Sequence, residues 1–262
     1  MPSPAARDRL PSQEDLLKFI LRYVQEPRVR DRYLPADGMD DDFLLLFGVA
    51  HRVRRLAQSY LRLRKAGFNN EGQILVRSAL EHAVTAQWAH LVEGGLHRFR
   101  VSRTWDQFTL AQVLYEESSD PDAADHVAEY KAHVLQGAKL PKVTEMFKSL
   151  DNNAFLRTTY KVMSQVTHVT HQAALDAIDS NDDGEMFLKL KPESDGDHEV
   201  LYALASCCML SAWVIAHIEG STDEMSRLQQ FSTKLSMPFR LDAVLPLEQR
   251  RFKDEIAYEP LL

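Results

Sequence analysis

Eighteen consecutive residues, LYALASCCMLSAWVIAHI (Leu201–Ile218), carry no formally charged side chain. A run of this kind must leave water, and its length lies near the lower limit for crossing a bilayer. Two destinations satisfy it: a membrane, or the centre of a helical bundle. The run is rich in Ala, Ser and Cys, follows the acidic stretch ESDGDHE, and has no basic cluster beside it. Membrane helices usually carry basic flanks on one side, whereas a helix surrounded by other helices is apolar all round. The expectation is a central core helix from His198 to Glu219, in a protein with no membrane contact.

The rest of the chain supplies helices to surround it. Strand-like alternation is almost absent, and glycine and proline punctuate long segments of helical periodicity. SQEDLLKFILRYVQEP opens with a capping box, Ser12 to Asp15, and reads as an amphipathic helix ending at Pro27. DDDFLLLFGVAHRVRRLAQSYLRLRKAG is acidic at its start and basic at its end, which suits the helix dipole, with Gly67 as its stop. Another helix runs from FNN to Gly94 and Gly95. Further helices follow over about Leu96 to Glu117, over SSDPDAADHVAEYKAHVLQ, over the short PKVTEMFKSL, and from about Ala154 to Ile178. MFLKLKP is the one segment that reads as a brief strand. DEMSRLQQFSTKL and a turn near PLEQRRFKDEI complete the helical set. The chain therefore reads as all-α, a single-domain helical bundle. Residues 1–36 form an N-terminal helix and linker, 37–220 the bundle, and 221–262 a C-terminal helical appendage.

A chain of 262 residues is long enough to bury such a core. The formal net charge of -7 argues against binding polyanions over the whole surface, though not against a local patch. Cys207 and Cys208 are adjacent in an apolar run, where neighbours rarely bridge each other, so a reducing, cytoplasmic setting is expected. The N-terminal MPSPAARDRLPSQEDLL lacks the apolar stretch of a secretory leader.

Two helices carry polar groups where apolar ones are expected. In ILVRSALEHAVTAQWAHLV, successive residues turn by about 100°. Arg77 therefore shares a face with Glu81 and with Ile74, Leu80, Val84, Trp88 and Leu91, whereas His82 falls with Leu75, Ala79, Ala86 and His90. A half-buried arginine needs a partner, and Glu81 at i+4 supplies one. That pair reads in two ways: an ion pair fixing helix register, or an arginine held by a carboxylate and offered to an anion such as phosphate. The second helix is RTTYKVMSQVTHVTHQAALDAID. Tyr160, Ser164 and His168 fall at strict four-residue intervals, with Arg157 and His171 near the same stripe. Val162, Val166, Val169, Ala173 and Ala177 form an apolar stripe opposite. If the polar band meets Arg77 and Glu81, the cluster holds hydroxyl donors, an acid/base imidazole and an anion-binding guanidinium.

Together these elements resemble the HEPN superfamily of all-α domains, and in particular a bacterial HEPN-like family of unknown function. Its members carry an Arg-x-x-x-Glu helix and a later helix ending in Ser-x-x-x-His. RSALEH also fits the Arg, four residues, His spacing of HEPN nucleases, and the resemblance covers about Phe43 to Ile218. The resemblance implies RNA or nucleotide binding, and for nuclease members metal-independent RNA cleavage in stress or phage defence, often by a homodimer. A histidine would activate the ribose 2′-hydroxyl, and an arginine would stabilise the charge on phosphorus. Arg77 takes the arginine role; either His82 or His168 could take the other, and the helical wheel favours His168. The candidate catalytic set is thus Arg77, Glu81, Tyr160, Ser164 and His168, with no cofactor. The alternative is a non-catalytic helical module that binds a protein partner, with Arg77 and Glu81 as structural glue.

Other signals are weaker. DSNDDG (Asp179, Asn181, Asp183, Gly184) resembles the first half of a calcium loop, but its twelfth position is Leu190 rather than a bidentate glutamate. His168, His171 and Glu81 lack the spacing of a recognised zinc motif. Basic residues cluster on the second helix, and Arg52, Arg55 and Arg62, with Arg98, make a candidate nucleic-acid patch. The competing reading is a solvated face paired with acidic neighbours. No phosphate-cradling glycine loop or Gly-x-Ser-x-Gly elbow is present.

Overall fold

The computed structural model describes residues 10–25, 40–118, 121–134, 138–150, 154–167, 178–181, 183–188 and 197–241. The elements are α1 (Gln13–Gln25), α2 (Asp40–Lys65), α3 (Asn69–Leu91), α4 (Gly95–Ser118), α5 (Pro121–Val134), α6 (Val143–Leu150), α7 (Phe155–Thr167), β1 (Ile178–Ser180), β2 (Met186–Leu188), α8 (Asp197–Ile218) and α9 (Thr222–Leu235). The all-α bundle expected from the sequence is the observed architecture.

Local chemistry sets the helix ends. Ser12 Oγ accepts from the Asp15 amide at 3.1 Å, the N-cap half of the expected capping box, and donates to the Asp15 carboxylate at 2.8 Å, which therefore meets the hydroxyl of Ser12. Gly67 takes φ of +83°; the Phe68 amide donates to Leu63 O and the Gly67 amide to Arg64 O. This is a Schellman stop, which turns the chain so that α3 folds back along α2. Their approach is close at Gly72, where a Cβ would lie 2.9 Å from the Tyr60 ring. At the start of α9, Ser221 caps the helix by accepting from the Glu224 amide.

The charge-free run is the core. Fifteen residues of α8 are buried, among them Leu201, Leu204, Cys207, Cys208, Leu210, Trp213 and Val214. Helices α1, α2, α3 and α9 surround it. Burial pushes both cysteine thiols up, so they remain protonated small apolar groups. Beside it, α3 packs on α2, α7, α6 and α4 as well. Gln87, fully buried in α3, donates from Nε2 to Leu210 O at 2.9 Å and accepts at Oε1 from the Leu241 amide at 3.1 Å. Its amide thereby satisfies both the core helix and the chain beyond α9.

Two readings of the sequence need correction. Ile178 does not end a helix: it opens a hairpin in which Ile178 pairs with Leu188 and Ser180 with Met186. Gly184 takes φ of +78°, the left-handed conformation this turn needs, and its amide donates to Asn181 O at 3.0 Å. Val162, assigned to an apolar stripe of α7, is 55% exposed. The helix instead turns Leu156, Tyr160, Met163 and Ser164 towards the bundle, because hydrogen bonds to α3 accommodate the polar groups. Val166, Val169, Ala173, Ala177, His168, His171 and the turn near PLEQRRFKDEI lie outside the described side chains.

Helices α4 and α5 form an arm. Leu96 and Phe99, in the first turns of α4, pack on the main core. Further along, Trp105 and Phe108 join Val134 of α5 in a separate small cluster with Val101, Val127 and Tyr130 at its edge. Gly95 starts the arm against α3, since a Cβ there would meet Trp88 O at 2.8 Å.

Candidate functional site

Arg77 on α3 and Tyr160 and Ser164 on α7 come together because the two helices pack side by side. Arg77 donates from Nε to Ser164 Oγ at 3.0 Å and from Nη2 to Tyr160 Oη at 3.2 Å. Tyr160 Oη donates onward to Glu81 Oε1 at 3.0 Å, and that same carboxylate oxygen lies 3.2 Å from Arg77 Nη2. Ser164 Oγ donates to Tyr160 O, one turn back. The guanidinium carbon sits 5.2 Å from the Tyr160 ring centroid, and Phe147 of α6 backs that ring at 5.6 Å.

Four side chains from two helices thus share one hydrogen-bonded network, as the spacing of each helix suggested. Burial pushes the Tyr160 hydroxyl above its ordinary value, with Arg77 and Glu81 opposing each other, so it stays a protonated donor at neutral pH. The Arg77 and Glu81 side chains keep 23% and 31% of their exposure, so solvent reaches the network, which is not a sealed core pair. Arg77 Nη1 has no partner among the described residues. Glu81 offsets the guanidinium charge, so an incoming anion would be held by the directed Nη1 donors more than by net charge.

The other sequence candidates fall elsewhere. His82 Nδ1 lies 2.7 Å from Ser78 O of its own helix and makes no contact with Arg77. His168 lies outside the described residues. Arg52, Arg55 and Arg62 are exposed along α2. Arg98 is on α4, half-buried, with its guanidinium 5.9 Å from the Trp88 ring. Two basic neighbours on α2 are committed to the fold: Arg54 donates to Tyr23 O at 3.1 Å, and Arg64 pairs with Asp197 at 2.6 Å.

With this geometry in view, comparison with known families is decisive at one level. Residues 43–186 match DUF5677, a family of unknown function, over more than half of the chain. The chain belongs to the DUF5677 family. The matched span reaches from α2 to β2 and holds all four networked residues of this DUF5677 protein, together with the arm; the core helix α8 lies beyond it. No curated protein and no solved structure matches the chain.

The calcium-loop resemblance dissolves into the hairpin. Asn181 spends its side chain on Glu185, accepting from the Glu185 amide at 2.8 Å and donating to its carboxylate at 2.9 Å. Among the described residues no three histidine, cysteine or acidic side chains converge as a metal site would require.

Sequence reasoning missed one further cluster. His90 Nε2 is hydrogen-bonded to His217 Nδ1 at 2.9 Å, where the ends of α3 and α8 meet. Trp213 stacks on His217 with ring centroids 5.0 Å apart and meets His90 edge-on. Burial, then the neighbouring His217, pushes His90 down to about 4. Each histidine stands in the last turn of its helix, a position that carries no signal for pairing the two.

Proposed function

We propose that this DUF5677 protein is a HEPN-like RNA-binding protein whose Arg77 network engages a backbone phosphate and supports endoribonuclease chemistry. The observation that carries the reading is the state of the Arg77 guanidinium: Nε and Nη2 are fixed by Ser164, Tyr160 and Glu81, while Nη1 has no partner among the described residues. An arginine held on two edges loses little entropy when its third edge meets a phosphate oxygen. His168 follows Ser164 at the four-residue interval that separates Ser164 from Tyr160, and is the base in this proposal. It takes the proton of a ribose 2′-hydroxyl, the 2′-oxygen attacks phosphorus, and the P–O5′ bond breaks. The products are a 2′,3′-cyclic phosphate and a 5′-hydroxyl that has gained a proton. Arg77 Nη1 stabilises the negative charge that gathers on the phosphoryl oxygens during attack.

A second reading has its own observation. Every other polar atom of Arg77 is already satisfied within the chain, as in a structural lock between α3 and α7. The two are separated by incubating the pure protein with end-labelled RNA in EDTA, beside Arg77→Ala, His168→Ala and Tyr160→Phe. Nuclease function requires wild-type cleavage that falls at least about 100-fold in Arg77→Ala and His168→Ala. Absent cleavage, or equal cleavage in all four proteins, removes the catalytic claim. A loss of folding stability in Arg77→Ala, with RNA affinity unchanged, selects the lock.

A further inference from the structure

We infer that the outward face of α4 is a self-association surface that docks an antiparallel α4 from a second copy of this chain. Helix α4 has two apolar faces. Val101, Trp105 and Phe108 point towards α5. Opposite them, Leu110, Val113 and Leu114 are 59%, 48% and 51% exposed. At about 100° per residue, Arg103, Leu110, Leu114 and Glu117 fall within about 60° of one another, on the side away from Trp105. Val113 flanks this line. Exposed apolar groups that cluster in one stripe, rather than scatter singly, mark a surface that excludes water with a partner.

The charges say which partner. The stripe is basic at its start, with Arg103, and acidic at its end, with Glu117; both side chains are exposed. Neither forms an ion pair with any described residue of its own chain, in contrast to Arg64, Arg77 and Arg227. A helix with unlike charges at the two ends of an apolar stripe is complementary to itself when reversed. A two-fold axis near Leu110 sets Leu110 against its own counterpart. It also brings Arg103 of each copy opposite Glu117 of the other, so one contact yields two ion pairs. Three large apolar residues per copy make a small interface, suited to a weak and reversible dimer. Arg77, Glu81, Tyr160 and Ser164 lie on other helices and none belongs to this stripe.

Sedimentation velocity of the full chain over a broad concentration series tests the inference. The wild type is expected to shift from monomer to dimer with concentration. Arg103→Glu and Glu117→Arg alone should each weaken association about tenfold or more, since each sets like charges opposite one another. The double variant should restore it, and so should mixing the two single variants, which then form a mixed dimer. Leu110→Glu with Leu114→Glu should abolish it. Should that pair of substitutions disturb the helix, the surface charge swaps still decide the question. A wild-type chain that stays monomeric throughout overturns the inference and leaves the face to residues 242–262 or to another protein. Charge swaps that weaken association without rescue overturn it as well, because they exclude the antiparallel pairing.

Discussion

The main bundle and the α4–α5 arm are built from similar residues and solve different problems. In the bundle, Trp88 and Trp213 are each 1% exposed or less, and polar side chains are tied across helices. Gln87 is bonded at both ends, Arg64 meets Asp197, and Arg77 is held by three side chains. In the arm, the fully buried cluster has three members, and Leu110, Val113 and Leu114 face outward. A large shared core makes folding cooperative, whereas a two-helix arm with a small core can open on its own. The difference assigns stability to the bundle and leaves the arm's outer face available for contact.

The sharpest way to break that assignment is a matched pair of tryptophan deletions. Trp213→Ala removes a ring enclosed by His90, His217 and Phe239 at the end of the core helix. It should cost about 3–5 kcal/mol of global stability, read as a lower urea midpoint for the whole molecule. Trp105→Ala removes a ring of the same size from the arm. Its cost should fall mainly on local opening, seen as faster amide exchange across residues 95–134 with the main unfolding transition little changed. Equal effects on the main transition would mean that arm and bundle unfold as one unit.

Acid should separate the two regions again, with a smaller effect. His90 is held neutral inside the bundle, with its value pushed down to about 4 by burial and by His217. The unfolded chain has a histidine near 6.5, so between pH 6.5 and pH 4 it binds more protons than the folded chain. Stability is therefore complete above this window and falls as pH drops through it, by an amount on the order of 3 kcal/mol. Thermal melts followed by tryptophan emission at stepped pH should show the decline, and His90→Leu should flatten it. A slope unchanged in His90→Leu would place the acid sensitivity elsewhere.

Much of this organisation was legible in the chain. The charge-free run Leu201–Ile218 announced a helix that leaves water, and the bundle receives it, with fifteen residues of α8 buried. The four-residue spacings of Arg77 with Glu81, and of Tyr160 with Ser164, announced two faces that could meet, since helical periodicity projects residues directly into space. What periodicity could not convey was which face of α7 turns inward. Val162 looked like core and is exposed, because the choice depended on partners 80 residues away: Arg77 and Glu81 make the polar face the better one to bury. The His90–His217 pair was hidden for the same reason, as its members lie on separate helices and neither carries a motif. The hairpin at Gly184 was half visible: its second strand was expected, and its first was divided between a helix end at Ile178 and a loop. In the arm, apolar residues on both sides of α4 blurred the amphipathic signal that separates inside from outside.

The finest test lies on that double-faced helix, and its expected effect on folding is close to nothing. Leu114→Lys replaces a side chain that is 51% exposed on the outer stripe of α4. Leucine and lysine have similar helix propensities, and no partner within the described chain depends on the leucine. At concentrations where the protein is monomeric, the change should leave stability within about 0.5 kcal/mol of wild type. Met163, 3% exposed on the inner side of α7, supplies the contrast: Met163→Lys would bury an ammonium and should be strongly destabilising. A Leu114→Lys protein that loses well over 1 kcal/mol as a dilute monomer would show that this face is already covered within the chain. The outer stripe of α4 would then belong to the core, and the distinction between bundle and arm would have to be redrawn around it.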